Sequence, residues 1–310
     1  MVIRIGTDCS GIEAPIEALK QMKVPFQHVF CCEKDPYALM SIKANYNPDK
    51  IYTDITKRKH SLLPDIDIYV CGFPCQPFSL MGNKLGTEDT RSNIMFSCIK
   101  VIQKKLPKVF ILENVKNFKF IQNGEPFNYL INTLKKIKTQ EKEFAYNIYY
   151  DILNTKDYGI PQNRERIFII GIRKDIQIEE YTTPGTIPMK PLDDFILDKT
   201  INNIEPKCNA TKVIIKNNIE LKKNYIISCS GFGNYMYNCT PTITCSTPLY
   251  STKYKRYLTY QECLLLQGFK KDFKKDISNT QMFKQIGNSM SVNVLKALFK
   301  KIFKITSINQ

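Results

Sequence analysis

The sequence predicts an α/β fold: a sheet with helices on both faces, joined by a small irregular domain. Three observations point there. Short apolar runs alternate with amphipathic segments through the first half of the chain, the pattern of a parallel sheet covered by helices. The residues just after each run are polar and of distinct chemical types. The alternation then stops near residue 179 and resumes near residue 257.

The predicted strands are Ile3–Ile5, His28–Cys32, Ile66–Cys71, Val109–Leu112 and Arg166–Ile172. Helical spacing marks Ala14–Met22, Pro36–Asn45, Asn93–Lys105 and Pro126–Lys138. In an open α/β sheet, ligands sit beyond the carboxyl ends of the strands. Those ends read Thr-Asp-Cys-Ser-Gly, Glu33-Lys34-Asp35, Gly-Phe-Pro-Cys-Gln-Pro and Glu113-Asn114-Val115, with Asp54 following another short strand. A shared cleft is the reading they support. Residues 179–256 are rich in Pro, Asn, Lys, Thr and Tyr, show no clean helix, and form the small domain. Nine Lys/Arg against two Glu make residues 199–256 strongly basic. Leu258–Phe269 and Val292–Phe303 then read as helices returning to the core. The expected division is 1–178, 179–256 and 257–310.

Composition narrows the function classes. With 310 residues, 43% hydrophobic and 24% charged, the chain has ordinary globular usage. A net charge of +16 suggests a polyanionic partner, although Ile, Asn and Lys are abundant everywhere and Lys alone is weak evidence. No span is apolar for long enough to cross a membrane, and Arg4, Asp8, Glu13, Glu17 and Lys20 break any signal-peptide core. A soluble, intracellular protein without membrane contact is expected, with no compartment indicated. Its eleven cysteines then read as thiols rather than bridges. With two histidines and no paired C-x-x-C units, no metal site is expected.

Three candidates carry chemistry. Cys75 lies between Pro74 and Pro77, which stiffen the backbone and place a thiol at a strand end. A phosphatase-like loop needs Arg at position 81, which is Met, and a papain-like dyad needs a histidine that neither His28 nor His60 naturally supplies. Conjugate addition to a pyrimidine ring remains. Glu113 ends an apolar strand, where a carboxyl suits proton donation or a bond to a ring nitrogen; a helix-capping role is the plain alternative. Arg164 and Arg166 precede a strand with period-2 spacing, which points both to one face, where a planar donor fork suits a carbonyl oxygen or phosphate. The turn Asp-Cys-Ser-Gly-Ile-Glu before a helix, with acidic Glu33 after the second run, suggests an adenosine-containing cofactor without a pyrophosphate.

Five ordered motifs give the chain a family likeness over nearly its whole length. Residues 72–79 (Gly-Phe-Pro-Cys-Gln-Pro-Phe-Ser), 113–115 (Glu-Asn-Val), 162–166 (Gln-Asn-Arg-Glu-Arg), 256–269 and 285–289 (Gln-Ile-Gly-Asn-Ser) resemble those of the C5-specific DNA cytosine methyltransferases. The resemblance implies a Rossmann-like sheet, S-adenosyl-L-methionine as cofactor, double-stranded DNA as partner, and a target-recognition domain at 179–256. A monomer is expected. It makes Cys75 the nucleophile, Glu113 the acid at ring N3, and Arg166 the donor at O2 with Arg164 in support. Ser10, Gly11 and Ile12 would wrap the cofactor's methionine part, and Cys9 would stand with them among the cofactor-binding residues. Glu33 would bind ribose, Asp54 and Ile55 adenine, Gly72 and Pro74 the sulfonium side, and Asn288 and Ser289 the amino-acid end. Residues 76–93, with Gly82 and Gly86, resemble a mobile catalytic loop, and Pro-Thr-Ile-Thr (241–244) a signature beside the flipped base.

The chain departs from the family where Cys9 replaces an aromatic residue and Glu13 and Ala14 replace glycines. The tRNA-methylating branch is the first alternative, with Pro-Pro-Cys and Cys-Phe-Thr as its signatures. Here Phe73 precedes Pro74 and no Cys-Phe-Thr occurs. A catalytically inactive DNA-binding member is the second, against which Cys75, Glu113, Arg164 and Arg166 all stand intact.

Overall fold

The computed structural model describes residues 2–74, 92–206, 209–230, 234–246 and 248–308. Cys75 and residues 76–91, with Gly82 and Gly86, lie outside the described residues. The chain divides into two compact units. The first comprises Met1–Leu153, Glu165–Pro184 and Lys296–Gln310, and the second Asn154–Arg164 and Gly185–Leu295.

The first unit is built on seven strands: β1 (Ile3–Asp8), β2 (Phe26–Cys32), β3 (Ile51–Tyr52), β4 (Ile68–Cys71), β5 (Val109–Val115), β6 (Tyr146–Asn154) and β7 (Glu165–Arg173). Their order is β3-β2-β1-β4-β5-β7-β6. Strands β1 to β5 pair in parallel, and β7 runs antiparallel to β5. The helices between them are α1 (Ala14–Gln21), α2 (Pro36–Asn45), α3 (Ser92–Lys105) and α4 (Glu125–Lys135). The order reverses direction at β1 and β4, the switch point beyond which α/β sheets bind ligands.

Local chemistry explains the element ends. Asp35 caps α2, its carboxylate accepting from the Tyr37 and Ala38 amides, and Pro36 supplies a preset φ at the first position. The apolar runs are buried on both faces, with Ile5, Phe30, Ile68, Tyr69, Phe110 and Ile170 essentially inaccessible, as a doubly covered sheet requires. Strand β6 was absent from the predicted set. It is a sheet edge with mostly half-buried residues, so its sequence never forms an apolar run.

The second unit corrects the expectation of an irregular domain without helices. It holds α5 (Asn209–Lys216) and an antiparallel sheet of β8 (Tyr225–Ser228), β9 (Tyr235–Tyr237), β10 (Leu249–Ser251) and β11 (Arg256–Tyr257), in the order β11-β10-β8-β9. These strands run two to four residues, too short to show an alternating pattern. Helices α6 (Tyr260–Leu266) and α7 (Asn279–Asn288) follow. A reciprocal cap between Thr259 and Glu262 starts α6, and Ser278 caps α7. Residues 257–295 thus group with this unit, and of the expected returning helices only the end of α8 (Val292–Ile305), from Lys296, belongs to the first.

Candidate functional site

In the first unit, the carboxyl ends of β1, β2, β4 and β5 bring most of the expected residues together. After β1 the backbone turns sharply: Cys9 has φ +47, Gly11 φ +56 and Glu13 φ +61. Around Gly11 a Cβ would meet nothing within 4 Å, so the turn is open on that side. Ser10 and Ile12 are buried. Ile12 is fully enclosed, so its side chain packs in the core. The Cys9 thiol bonds the Cys71 thiol, which favours its thiolate, but burial and the nearby acids Asp8 and Glu33 hold its pKa up.

Glu33 joins this turn to the end of β2. Its Oε2 accepts the Gly11 N–H at 2.8 Å, and its Oε1 accepts the Lys34 and Asp35 amides at 2.8 and 2.9 Å. A carboxylate offers about four acceptor positions, so these three leave room for a hydroxyl. That suits a ribose. Asp54 is half-buried, with Oδ1 accepting the Thr56 amide at 2.9 Å and hydroxyl at 2.7 Å. The Thr56 hydroxyl bond comes first among the influences holding its pKa down. Ile55 beside it is buried in the core. An open turn, a strand-end acid with spare acceptor capacity and an apolar residue next to a fixed carboxylate fit an adenosine-containing ligand.

Sequence reading missed what fixes the 54–58 loop. Arg58 forms a buried ion pair with Asp8 of β1, whose Oδ2 also accepts the Tyr69 hydroxyl at 2.6 Å. The guanidinium lies 5.1 Å from the ring centres of both Phe30 and Tyr52. Burial pushes the Asp8 carboxyl up and the Arg58 charge opposes that shift. Within Lys57-Arg58-Lys59 the arginine looks solvated, and nothing local distinguishes it.

Past β4, Gly72 is half-buried, Phe73 buried and Pro74 exposed. The Asn114 amide donates to the Phe73 carbonyl at 3.0 Å, while its oxygen accepts the Val115 N–H at 2.8 Å. Asn114 therefore fixes the segment leading to residue 75, a role the sequence reading left unassigned. Glu113 is nearly buried, and the antiparallel register of β5 and β7 pairs Val115 with Arg166. Arg166 Nε then lies 3.3 Å from Glu113 Oε1. Burial draws the guanidinium below its ordinary range, and the Glu113 charge opposes this. An acid and a cationic donor stand side by side at the strand end.

Arg164 is elsewhere engaged. It belongs to the second unit, where it is 2% exposed. Its Nη1 donates to the Ile243 carbonyl at 3.0 Å, and Nη2 to the Gly287 and Ser289 carbonyls at 3.1 and 2.7 Å. The one-face expectation is corrected: β7 begins at Glu165, so the period-2 rule does not extend back to residue 164. Gln162 reinforces the same knot, accepting the Ile243 N–H at 3.2 Å and donating to Gln267 at 2.8 Å. A Cβ at Gly287 would lie 2.3 Å from the Thr244–Cys245 backbone, so only glycine fits. Within this unit Asn288 is exposed and Ser289 buried, its hydroxyl donating to the Met290 carbonyl at 3.2 Å.

A family model described as C-5 cytosine-specific DNA methylase matches residues 6–243 and 195–304. The Type II methyltransferase M1.ScrFI of Lactococcus lactis subsp. cremoris is 35% identical over 302 residues, covering 89% of this chain and 72% of that protein. The Type II methyltransferase M.SsoII of Shigella sonnei is 36% identical over 290 residues, covering 88% and 73%. Among solved structures, the S. pombe Dnmt2 methyltransferase superposes with a TM-score of 0.72 over 97% of this chain and 98% of its own. At 18% identity that likeness speaks for the fold.

Proposed function

Since the chain belongs to the C-5 cytosine-specific DNA methylase family, and so is a cytosine-C5 methyltransferase that uses S-adenosyl-L-methionine, we propose that its substrate is a cytosine swung out of a specific duplex DNA sequence. The observation that carries this reading is the Glu113–Arg166 pair, 3.3 Å apart. N3 and O2 are neighbours on one edge of the pyrimidine, and a carboxyl beside a guanidinium matches that edge in spacing and chemistry. In a stacked duplex the ring faces are covered, so extrusion at a cost of a few kcal/mol precedes chemistry. The net charge of +16 supports a phosphate backbone as the source of affinity.

The cofactor, when bound, supplies a methyl group activated by its sulfonium. Glu33 holds its ribose, Asp54 and Ile55 address adenine, and the Cys9–Ile12 turn receives the methionine part. Cytosine C5 is too weak a nucleophile unaided. The Cys75 thiolate adds at C6, and the ring electrons displaced toward C5 make that carbon reactive. Glu113 addresses N3 and Arg166 offsets charge gathering at O2. After methylation, loss of the C5 proton and β-elimination return the thiolate. Cys75→Ser should abolish transfer and leave DNA binding, and a duplex bearing 5-fluorocytosine should trap a covalent adduct, since fluorine does not leave as a proton does. Bisulfite sequencing of DNA from expressing cells identifies the target sequence. Methylation of tRNA with none of DNA would reverse the substrate assignment.

A further inference from the structure

Glu13 occupies a backbone conformation that favours glycine, with φ +61 and ψ +46. Its side chain is fully buried. Oε1 accepts the Thr7 hydroxyl at 2.9 Å, and that hydroxyl oxygen lies 3.2 Å from His28 Nε2. The Ser10 hydroxyl is a second partner of the carboxyl. Glu13 also closes the turn through its backbone, donating to the Ser10 carbonyl and accepting the Glu17 amide, both at 2.9 Å.

A strained residue with a buried acid persists only where its surroundings hold it. Burial raises the Glu13 carboxyl to about 8 and lowers the His28 imidazole to about 4. At neutral pH both are uncharged, and the Thr7 hydroxyl joins them, bonded to Glu13 Oε1 on one side and to His28 Nε2 on the other. Glu13 Oε2 and His28 Nδ1 have no hydrogen-bond partner among the described residues. The groups around Glu13 are His28, whose Nε2 lies 3.7 Å from Oε1 and which burial keeps uncharged at neutral pH, Asp8 on β1, Cys31 on β2 and Glu33 beyond it, while Asp49 acts on His28. None of these is a cation that would shelter a second negative charge.

We propose that Glu13 is a positioning residue for the cofactor: its side chain anchors the Cys9–Glu13 turn to Thr7 on β1 and, through it, to His28 on β2. The inference rests on assigning that turn to the methionine end of S-adenosyl-L-methionine. The acid replaces the freedom of a glycine with a fixed tether, and ionising it beside Glu33 releases the turn.

Calorimetric binding of S-adenosyl-L-methionine to the full chain between pH 6.5 and 9 tests this. Wild-type affinity should fall about tenfold between pH 6.5 and pH 9, most of it above pH 8. Glu13→Gln, which keeps an oxygen for Thr7 and cannot ionise, should bind as wild type at pH 7 and lose that fall. Glu13→Gly relieves the backbone and removes the tether, and should bind about tenfold more weakly, with KM for the cofactor rising far more than kcat falls. Thr7→Val should act in the same direction. Undiminished affinity in Glu13→Gly, or an unchanged pH profile in Glu13→Gln, overturns the inference. A wild-type chain that binds no cofactor at any pH instead overturns the assignment beneath it, and the inference with it.

Discussion

Arg164 and Arg166 are separated by one residue, yet they belong to different compact units and different kinds of surroundings. Arg164 directs its fork at three backbone carbonyls and is sealed from solvent. Arg166 remains partly exposed at a strand end, with one carboxylate 3.3 Å away and a single backbone partner, the Glu165 carbonyl, which accepts from Nη1 at 2.8 Å. One motif therefore holds two chemistries. The difference teaches that a guanidinium is available for substrate only where backbone carbonyls leave most of its donors unspent.

Substitutions should separate the two. Arg166→Met should lower kcat about 10²–10³-fold, the cost of removing one transition-state donor, with little change in denaturant midpoint. A smaller loss would break the assignment to O2. Glu113→Gln should cost about 10²-fold in single-turnover methylation, with DNA affinity retained. Arg164→Met should act in reverse: about 3 kcal/mol of folding stability lost in urea, because three buried carbonyls lose a charged donor. If that variant is stable and dead, Arg164 belongs with the chemistry after all.

The smallest expected effect is a pH dependence of stability. Unfolded, Glu13 and His28 titrate near their ordinary 4.5 and 6.5; folded, near about 8 and about 4. Between pH 4.5 and 6.5 the unfolded pair carries one proton on histidine and the folded pair one on glutamate, so this pair contributes no slope. From 6.5 to 8 the unfolded chain has released that proton and the folded chain has not. Stability then falls as pH rises, by about 2 kcal/mol. Thermal melts of Glu13→Gln should lack this decline.

The parallel strands were legible because a sheet covered on both faces needs continuous apolar runs, and Val109–Leu112 or His28–Cys32 leaves little else to read. Glu113 and Glu33 were legible for a related reason: a single acid at the end of such a run stands out. Strand β6 and the sheet of the second unit were not, since edge and two-residue strands lack a periodic signature. Arg58 and Asn114 escaped because their meaning lies in partners 50 and 41 positions away. Arg164 was misplaced by carrying strand geometry one residue too far.

The Asp8–Arg58 pair has a consequence for how such chains can change. Replacing residue 8 alone would strand a cation between two aromatic rings, and replacing residue 58 alone would strand an anion with only a tyrosine hydroxyl for company. The two positions should therefore tolerate change only together. A chimera joining this first strand to a loop without the arginine would inherit half a bond, and should fold less stably than one in which both halves travel together.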